Sequence, residues 1–176
     1  MPYSYSKFKK EVHQSIVDNI SPLCHVLDVG AGSGCYGEML FGHFKKMDAL
    51  EIFPNYVEMF QLKTKYNEVI IGDITNFDFS LYDLIIMGDV LEHLSAEDAQ
   101  NIIFQIQKNK QAVLVAVPYL YEQGAEFGNQ HETHLQPDLT PAVMAKRYPE
   151  LKLLYGDENY GYYVNSIFCS SCHQQP

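Results

Sequence analysis

The chain has 176 residues, 47% of them hydrophobic, with 22 acidic against 12 basic residues and a formal net charge of −10. That supplies one sizeable core and leaves no length for a second large domain, so residues 1–176 are expected to form a single domain. No apolar run approaches the roughly 18 residues that cross a bilayer, Met1-Pro2-Tyr3-Ser4-Tyr5 has no signal-peptide core, and the acidic balance repels nucleic acid at long range.

In chain order, Phe8, Val12, Ile16 and Ile20 recur every fourth residue. They predict an amphipathic helix over residues 1–21 that stops before Pro22 and caps the domain. Lys7, Lys9 and Lys10 read as its solvated face. The apolar run Val26–Val29 is the first strand. It enters the turn Gly30-Ala31-Gly32-Ser33-Gly34, with Asp28 two positions before the first glycine. A strand, a glycine-rich turn and a helix let the backbone approach a ligand and aim N–H groups at it. A carboxylate beside that loop repels a pyrophosphate and attracts an amine. Gly32-x-Gly34-x-x-Gly37 also fits a dinucleotide fingerprint, but it would start late, because Gly30 already follows the strand.

A helix is predicted from about Gly34 to Phe44, then a strand from Met47 to Ile52 containing Glu51. An acid at the tip of the second strand accepts hydrogen bonds from ribose hydroxyls, in a methionine–adenosine cofactor and NAD alike. Pro54 opens the next helix. Glu68–Ile71 is the third strand and ends in Gly72-Asp73-Ile74. There the carboxylate can accept from an exocyclic amine while Ile74 packs on its ring. The fourth strand, Leu84–Met87, runs into Gly88-Asp89-Val90-Leu91-Glu92-His93. Ser95-x-x-Asp98 reads as a helix cap for a helix to Lys108 with Ala99, Ile102, Ile103 and Ile106 inward. Ala112–Val117 is the fifth strand, Thr140-Pro141 opens a further helix, and Leu151–Tyr155 with Gly161–Phe168 forms a terminal hairpin. Alternating strands and helices demand a mostly parallel sheet covered on both faces.

The order Asp28-x-Gly30-x-Gly32-x-Gly34, Glu51, Gly72-Asp73, Tyr82-Asp83 and Val90-Leu91-Glu92-His93 resembles that of class I S-adenosylmethionine-dependent methyltransferases, from about Leu23 to Pro118. The resemblance implies a Rossmann-like, doubly wound α/β fold with a seven-stranded, mostly parallel sheet and an antiparallel C-terminal strand. It implies S-adenosylmethionine as cofactor. Asp28, Gly30, Ala31, Gly32, Glu51, Ile52, Asp73, Ile74, Gly88, Asp89 and Val90 would line its site, with Gly88–Val90 beside the sulfonium. The expected activity is methyl transfer to an oxygen or nitrogen of a small molecule. The alternatives are a non-catalytic, cofactor-binding regulatory domain and, more distantly, an NAD-dependent oxidoreductase.

The segment Tyr119–Pro137 is long for a loop and holds Tyr119, Tyr121, Phe127, His131 and His134. It is expected to act as a substrate lid that controls acceptor entry and leaves cofactor binding alone, with Tyr3 and Tyr5 closing the same site. His93 and His134 are the candidate general bases. If the turn after the fourth strand is helical, Asp89, Glu92 and His93 stand at i, i+3 and i+4 on one face, and with His134 could hold a divalent metal. Val-Leu-Glu-His without a metal is common in the resembled family, so a cofactor site without one is the expectation. Cys169-x-x-Cys172-His173 matches a haem-attachment string but lacks an export signal and further ligands. The scattered cysteines fit a reducing, cytoplasmic setting.

Overall fold

A computed structural model describes residues 5–170; Tyr3, Cys172 and His173 lie outside that range. The seven strands are β1 (His25–Val29), β2 (Lys46–Glu51), β3 (Val69–Ile71), β4 (Leu84–Gly88), β5 (Ala112–Pro118), β6 (Lys152–Gly156) and β7 (Tyr160–Val164). They form one sheet in the order β3-β2-β1-β4-β5-β7-β6. The first five run parallel, and β7 inserts antiparallel between β5 and β6. This is the expected doubly wound sheet with its reversed strand.

Side-chain alternation along buried strands builds two cores, one per face. Leu27, Val29, Ile85, Met87, Val113 and Val115 face one side. There they meet Ala99, Ile102, Ile103 and Ile106 of α4 (Ala96–Lys108) and Met144 of α5 (Pro141–Arg147). Val26, Leu84, Ile86 and Leu114 face the other. There they meet Val12 and Ile16 of α1 (Lys9–Asn19), Tyr36 of α2 (Cys35–Met39) and Val57 of α3 (Pro54–Met59). The caps are those the sequence marks. The Ser95 hydroxyl accepts from the Asp98 N–H, the Thr140 hydroxyl accepts from the Val143 N–H, and Pro54 and Pro141 occupy first-turn positions.

Three elements differ from expectation. The first helix covers Lys9–Asn19 and not residues 1–21, beginning after Phe8, which takes a left-handed φ of 63°. The second helix covers only Cys35–Met39 and not the stretch to Phe44. Gly42 takes φ +71°, a left-handed turn, and Phe44 is buried from the loop instead. The last strand stops at Val164, and Phe168 is buried from a short helix α6 (Ser166–Ser170). Asn165 makes that switch. Its side chain accepts from the Phe168 N–H at 3.1 Å, as a helix cap does, and also ties to Val113 N and Gln111 O on the neighbouring strand.

Candidate functional site

The strand order reverses between β1 and β4, and in such sheets the loops at the carboxyl ends leave a crevice at that point. A cavity of about 230 Å³ opens there. Gly30, Ala31, Gly32, Glu51, Ile52, Asp73, Ile74, Gly88, Asp89 and Val90 all line it. The four successive strand ends therefore converge as the motifs imply.

Each loop has a local cause. Gly30 takes φ +61°, and a Cβ there would come within 2.6 Å of Val90 Cγ2, so both conformation and space require glycine. Its N–H donates to the Leu50 carbonyl at 2.8 Å, which ties the loop to β2. Glu51 is 3% exposed, and its two carboxylate oxygens accept from the N–H groups of Gly32 (3.0 Å) and Phe53 (2.9 Å). Burial raises its pKa, and those backbone donors work against the rise. Asp73 accepts from the N–H and the hydroxyl of Thr75, starting a 3-10 turn that carries the buried Ile74.

Asp28 stands apart from the lining residues. On β1 it shares the parity of Val26, so its side chain enters the core beneath the glycine loop. It is 1% exposed and accepts from the Tyr66 hydroxyl at 2.5 Å, while the same hydroxyl accepts from the Gly37 N–H. Burial pushes its carboxyl up to about 7 against the lowering effects of Tyr66 and Lys9.

The expected helical face over Asp89–His93 does not form. Asp89 takes φ +58° and accepts from the Tyr160 hydroxyl at 2.5 Å, and only Leu91–His93 make a 3-10 turn. Asp89 is not part of the group that Glu92, His93 and His134 form. Glu92, His93 and His134 do meet: one ligand-type atom from each lies within 4.8 Å of the others. Glu92 is 1% exposed, and its pKa is driven well up by burial and then by the Asp89 charge. His93 lines the cavity, whereas His134 lies behind it with the two rings 4.7 Å apart. Burial and the second imidazole lower His93 to about 4, and burial lowers His134. Both rings are neutral at neutral pH.

Part of the segment expected as a substrate lid lines this same cavity. Asn129, Gln130, His131, Glu132, Thr133 and Leu135 line it beside the strand-end residues. The Leu135 and Gln136 N–H groups donate to the Glu92 carbonyl, and Gln136 Nε2 donates to the Leu91 carbonyl. From the other side, the Tyr56 hydroxyl donates to Glu132 at 2.8 Å. Tyr119 is buried against β7, its hydroxyl 2.5 Å from that of Tyr163, and takes no part in a lid. Phe127 is exposed. Tyr5 stacks on Tyr160 at 4.6 Å, behind Asp89. Tyr56 and Glu132 carry no motif in the sequence. Only their pairing across 76 positions reveals them.

The charge of the site is one-sided. Glu51, Asp73, Asp89 and Glu132 line the cavity, with no Lys or Arg among the described lining residues. Such a cleft attracts a cation and rejects a pyrophosphate.

Comparison with known proteins agrees with this geometry. The methyltransferase domain family matches residues 26–109. A small-subunit ribosomal RNA methyltransferase A of Malacoplasma penetrans (strain HF-2) is 27% identical over 101 residues, 56% of this chain. The chain spans only 37% of that relative's length. An S-adenosylmethionine-dependent methyltransferase from Clostridium acetobutylicum ATCC 824 superposes with a TM-score of 0.66 at 12% identity, covering 92% of this chain and 91% of that one. Magnesium protoporphyrin IX methyltransferase from Synechocystis PCC 6803, solved with bound S-adenosylmethionine, gives 0.63 at 17% identity, covering 91% and 79%. At these identities the superpositions establish the fold.

Proposed function

We propose that this chain, whose residues 26–109 match the methyltransferase domain family, is a class I S-adenosylmethionine-dependent methyltransferase that moves the sulfonium methyl group of S-adenosylmethionine to an oxygen or nitrogen of a small-molecule acceptor. The observation that carries the reading is the acidic cavity at the strand switch point, with four carboxylates and no Lys or Arg among the described lining residues. S-Adenosylmethionine brings a sulfonium and an ammonium. NAD brings two phosphates, which such a lining repels.

The residues divide the work by their chemistry. Gly30–Gly32 let the backbone approach the cofactor. Each Glu51 oxygen keeps a lone pair beyond its backbone bond, and a carboxylate so placed accepts from ribose hydroxyls. Asp73 accepts from the adenine amine while Ile74 packs on the ring. Gly88–Val90 pass beside the sulfonium. Asp28 acts from beneath, holding the glycine loop and α2 through Tyr66. The sulfonium is already activated, so placing the acceptor in line supplies much of the acceleration. Of the two histidines proposed to handle the acceptor's proton, His93 faces the cavity and His134 stands behind it. Both offer a bare nitrogen, not a charged acid.

A small acceptor fits better than RNA. The likeness to the ribosomal RNA enzyme covers 101 residues, and the net charge of −10 opposes a polyanion. No helix among the described residues is long and apolar enough to cross a membrane, and the free thiols Cys24 and Cys35 support a cytoplasmic setting. Calorimetry with S-adenosylhomocysteine and NAD tests the cofactor, and labelled S-adenosylmethionine with small-molecule and RNA panels tests transfer. The reading expects S-adenosylhomocysteine to bind, NAD to be ignored, and label to reach a small molecule. NAD binding without a response to S-adenosylhomocysteine overturns it, and label found only in RNA overturns the acceptor class.

A further inference from the structure

Glu92, His93 and His134 form a cluster with an unusual hydrogen-bond balance. The Nδ1 of His93 lies 3.2 Å from the Thr133 carbonyl, and the Nδ1 of His134 lies 2.7 Å from the Tyr121 carbonyl. A carbonyl only accepts, so each Nδ1 carries the hydrogen and each Nε2 is left as a bare lone pair. Glu92 adds a third ligand-type group. It is 1% exposed, and its Oε2 has no hydrogen-bond partner among the described residues. One ligand-type atom from each of the three residues lies within 4.8 Å of the others. A buried polar atom left without a donor costs on the order of 1–3 kcal/mol.

We propose that Glu92, His93 and His134 bind a divalent first-row transition-metal cation at the edge of the cavity. A cation engages all three residues at once and displaces the proton that burial favours on Glu92. Ligand atoms in a tetrahedral site sit roughly 3.4 Å apart, given metal–ligand bonds of about 2.0–2.2 Å. The cluster must therefore contract by about 1 Å or slightly more, within reach of small side-chain rotations. Two imidazoles and one carboxylate suit Zn²⁺, Mn²⁺, Fe²⁺ or Co²⁺ better than Mg²⁺ or Ca²⁺, which favour all-oxygen sets.

The surroundings are those of a supported site. Both imidazoles are oriented by a hydrogen bond from their far nitrogen, the arrangement that fixes the tautomer of metal-binding histidines. The Glu92 carbonyl holds the Leu135 and Gln136 N–H groups, so the two chain segments that carry the ligands are already joined. Three protein ligands leave at least one coordination position open. His93 lies on the cavity wall, so that position faces the cavity. An acceptor oxygen held there would be oriented toward the cofactor and made more acidic. Only this last step rests on the methyl-transfer reading.

The test is direct. The purified full chain is stripped with chelator, then titrated with Co²⁺, Zn²⁺ and Mg²⁺ by calorimetry, with Co²⁺ followed also by absorption. The expected result is one equivalent of Co²⁺ and Zn²⁺ bound, weaker Mg²⁺, and a loss of at least about tenfold in affinity in Glu92→Gln and in His134→Ala. Circular dichroism and S-adenosylhomocysteine binding check that the variants fold. Absence of stoichiometric Co²⁺ or Zn²⁺ binding overturns the proposal, and so does binding of equal strength in both variants, which would place the metal elsewhere, as on the Cys169/Cys172/His173 tail. Intact S-adenosylhomocysteine binding in the stripped protein beside a failed metal titration rejects the cation site alone. Failure of S-adenosylhomocysteine binding rejects the cofactor reading alone.

Discussion

Glu51 and Asp28 are both buried carboxylates beside the same loop, and they serve it differently. Glu51 reaches the cavity while holding the Gly32 and Phe53 N–H groups. Truncating it to alanine would orphan both donors and confuse binding with folding. Glu51→Gln keeps the volume and removes the charge. It is expected to weaken S-adenosylhomocysteine binding by about 1.5–3 kcal/mol, the range for a hydrogen bond to a charged group. Unchanged affinity by calorimetry in the folded variant would remove Glu51 from the cofactor site. Asp28 predicts a pH effect. Its carboxyl titrates near 7 in the folded protein and has a reference value of 3.8. Between those values the folded protein keeps a proton that the unfolded chain has lost. Its contribution is therefore most favourable below about pH 4, declines as pH rises through the window, and is gone above about pH 7. Asp28→Asn abolishes this titration. The variant should match the wild type near pH 4 and gain on it toward pH 8 by on the order of a few kcal/mol. Urea unfolding across that range checks the sign, and a gap that does not change with pH would contradict it.

Among the elements, α4 and the cavity wall show opposite kinds of stability. Helix α4 is set by its own sequence: a Ser95 cap, acids in the first turn and an apolar stripe at helical spacing. Ser95→Ala should cost about 1 kcal/mol of stability through the lost cap and leave cofactor affinity as it was. Denaturant midpoints and calorimetry on one preparation separate these effects. The wall over residues 129–135 is held by its partners, through Tyr56–Glu132 on one side and the Glu92 carbonyl on the other. Tyr56→Phe removes the first attachment and keeps the ring. Limited proteolysis is expected to cut between residues 120 and 132 faster than in the wild type, and S-adenosylhomocysteine should suppress the difference. Equal cleavage rates would show that the second attachment suffices. The segment expected as a lid thus supplies part of the cavity lining, over residues 129–135.

At the scale of the whole molecule, the cavity spans strand-end loops and wall together, so a ligand bound in it should stabilise them as a unit. A ligand that binds only the native state at a hundred times its Kd adds about 2.7 kcal/mol. For a domain of this size that raises Tm by roughly 5–10 °C. S-Adenosylhomocysteine is expected to produce that shift and NAD none, with hydrogen exchange slowed jointly over residues 89–95 and 129–136. Protection confined to the strand-end loops would separate the wall from the cofactor site.

What the sequence determined by itself is whatever depends on local spacing. Apolar runs broken by Gly30, Gly72 and Gly88 marked three of the parallel strands, and the caps at Ser95 and Thr140 marked helix starts. The motif order placed Gly30–Gly32, Glu51, Asp73 and Gly88–Val90 at strand ends, which a doubly wound sheet necessarily gathers at one edge. What the tertiary structure alone decided depends on partners distant in the chain or on a single backbone angle. Strand parity sent Asp28 under the loop to Tyr66. Asp89, at a left-handed φ, accepts from Tyr160 and is not part of the Glu92–His93–His134 cluster. A side-chain cap at Asn165 ended the last strand early. Glu132 and His134 became parts of the site only because residues 129–136 fold back onto the turn after β4. Spacing along the chain records which residues share an element, but not which elements will later share a cavity.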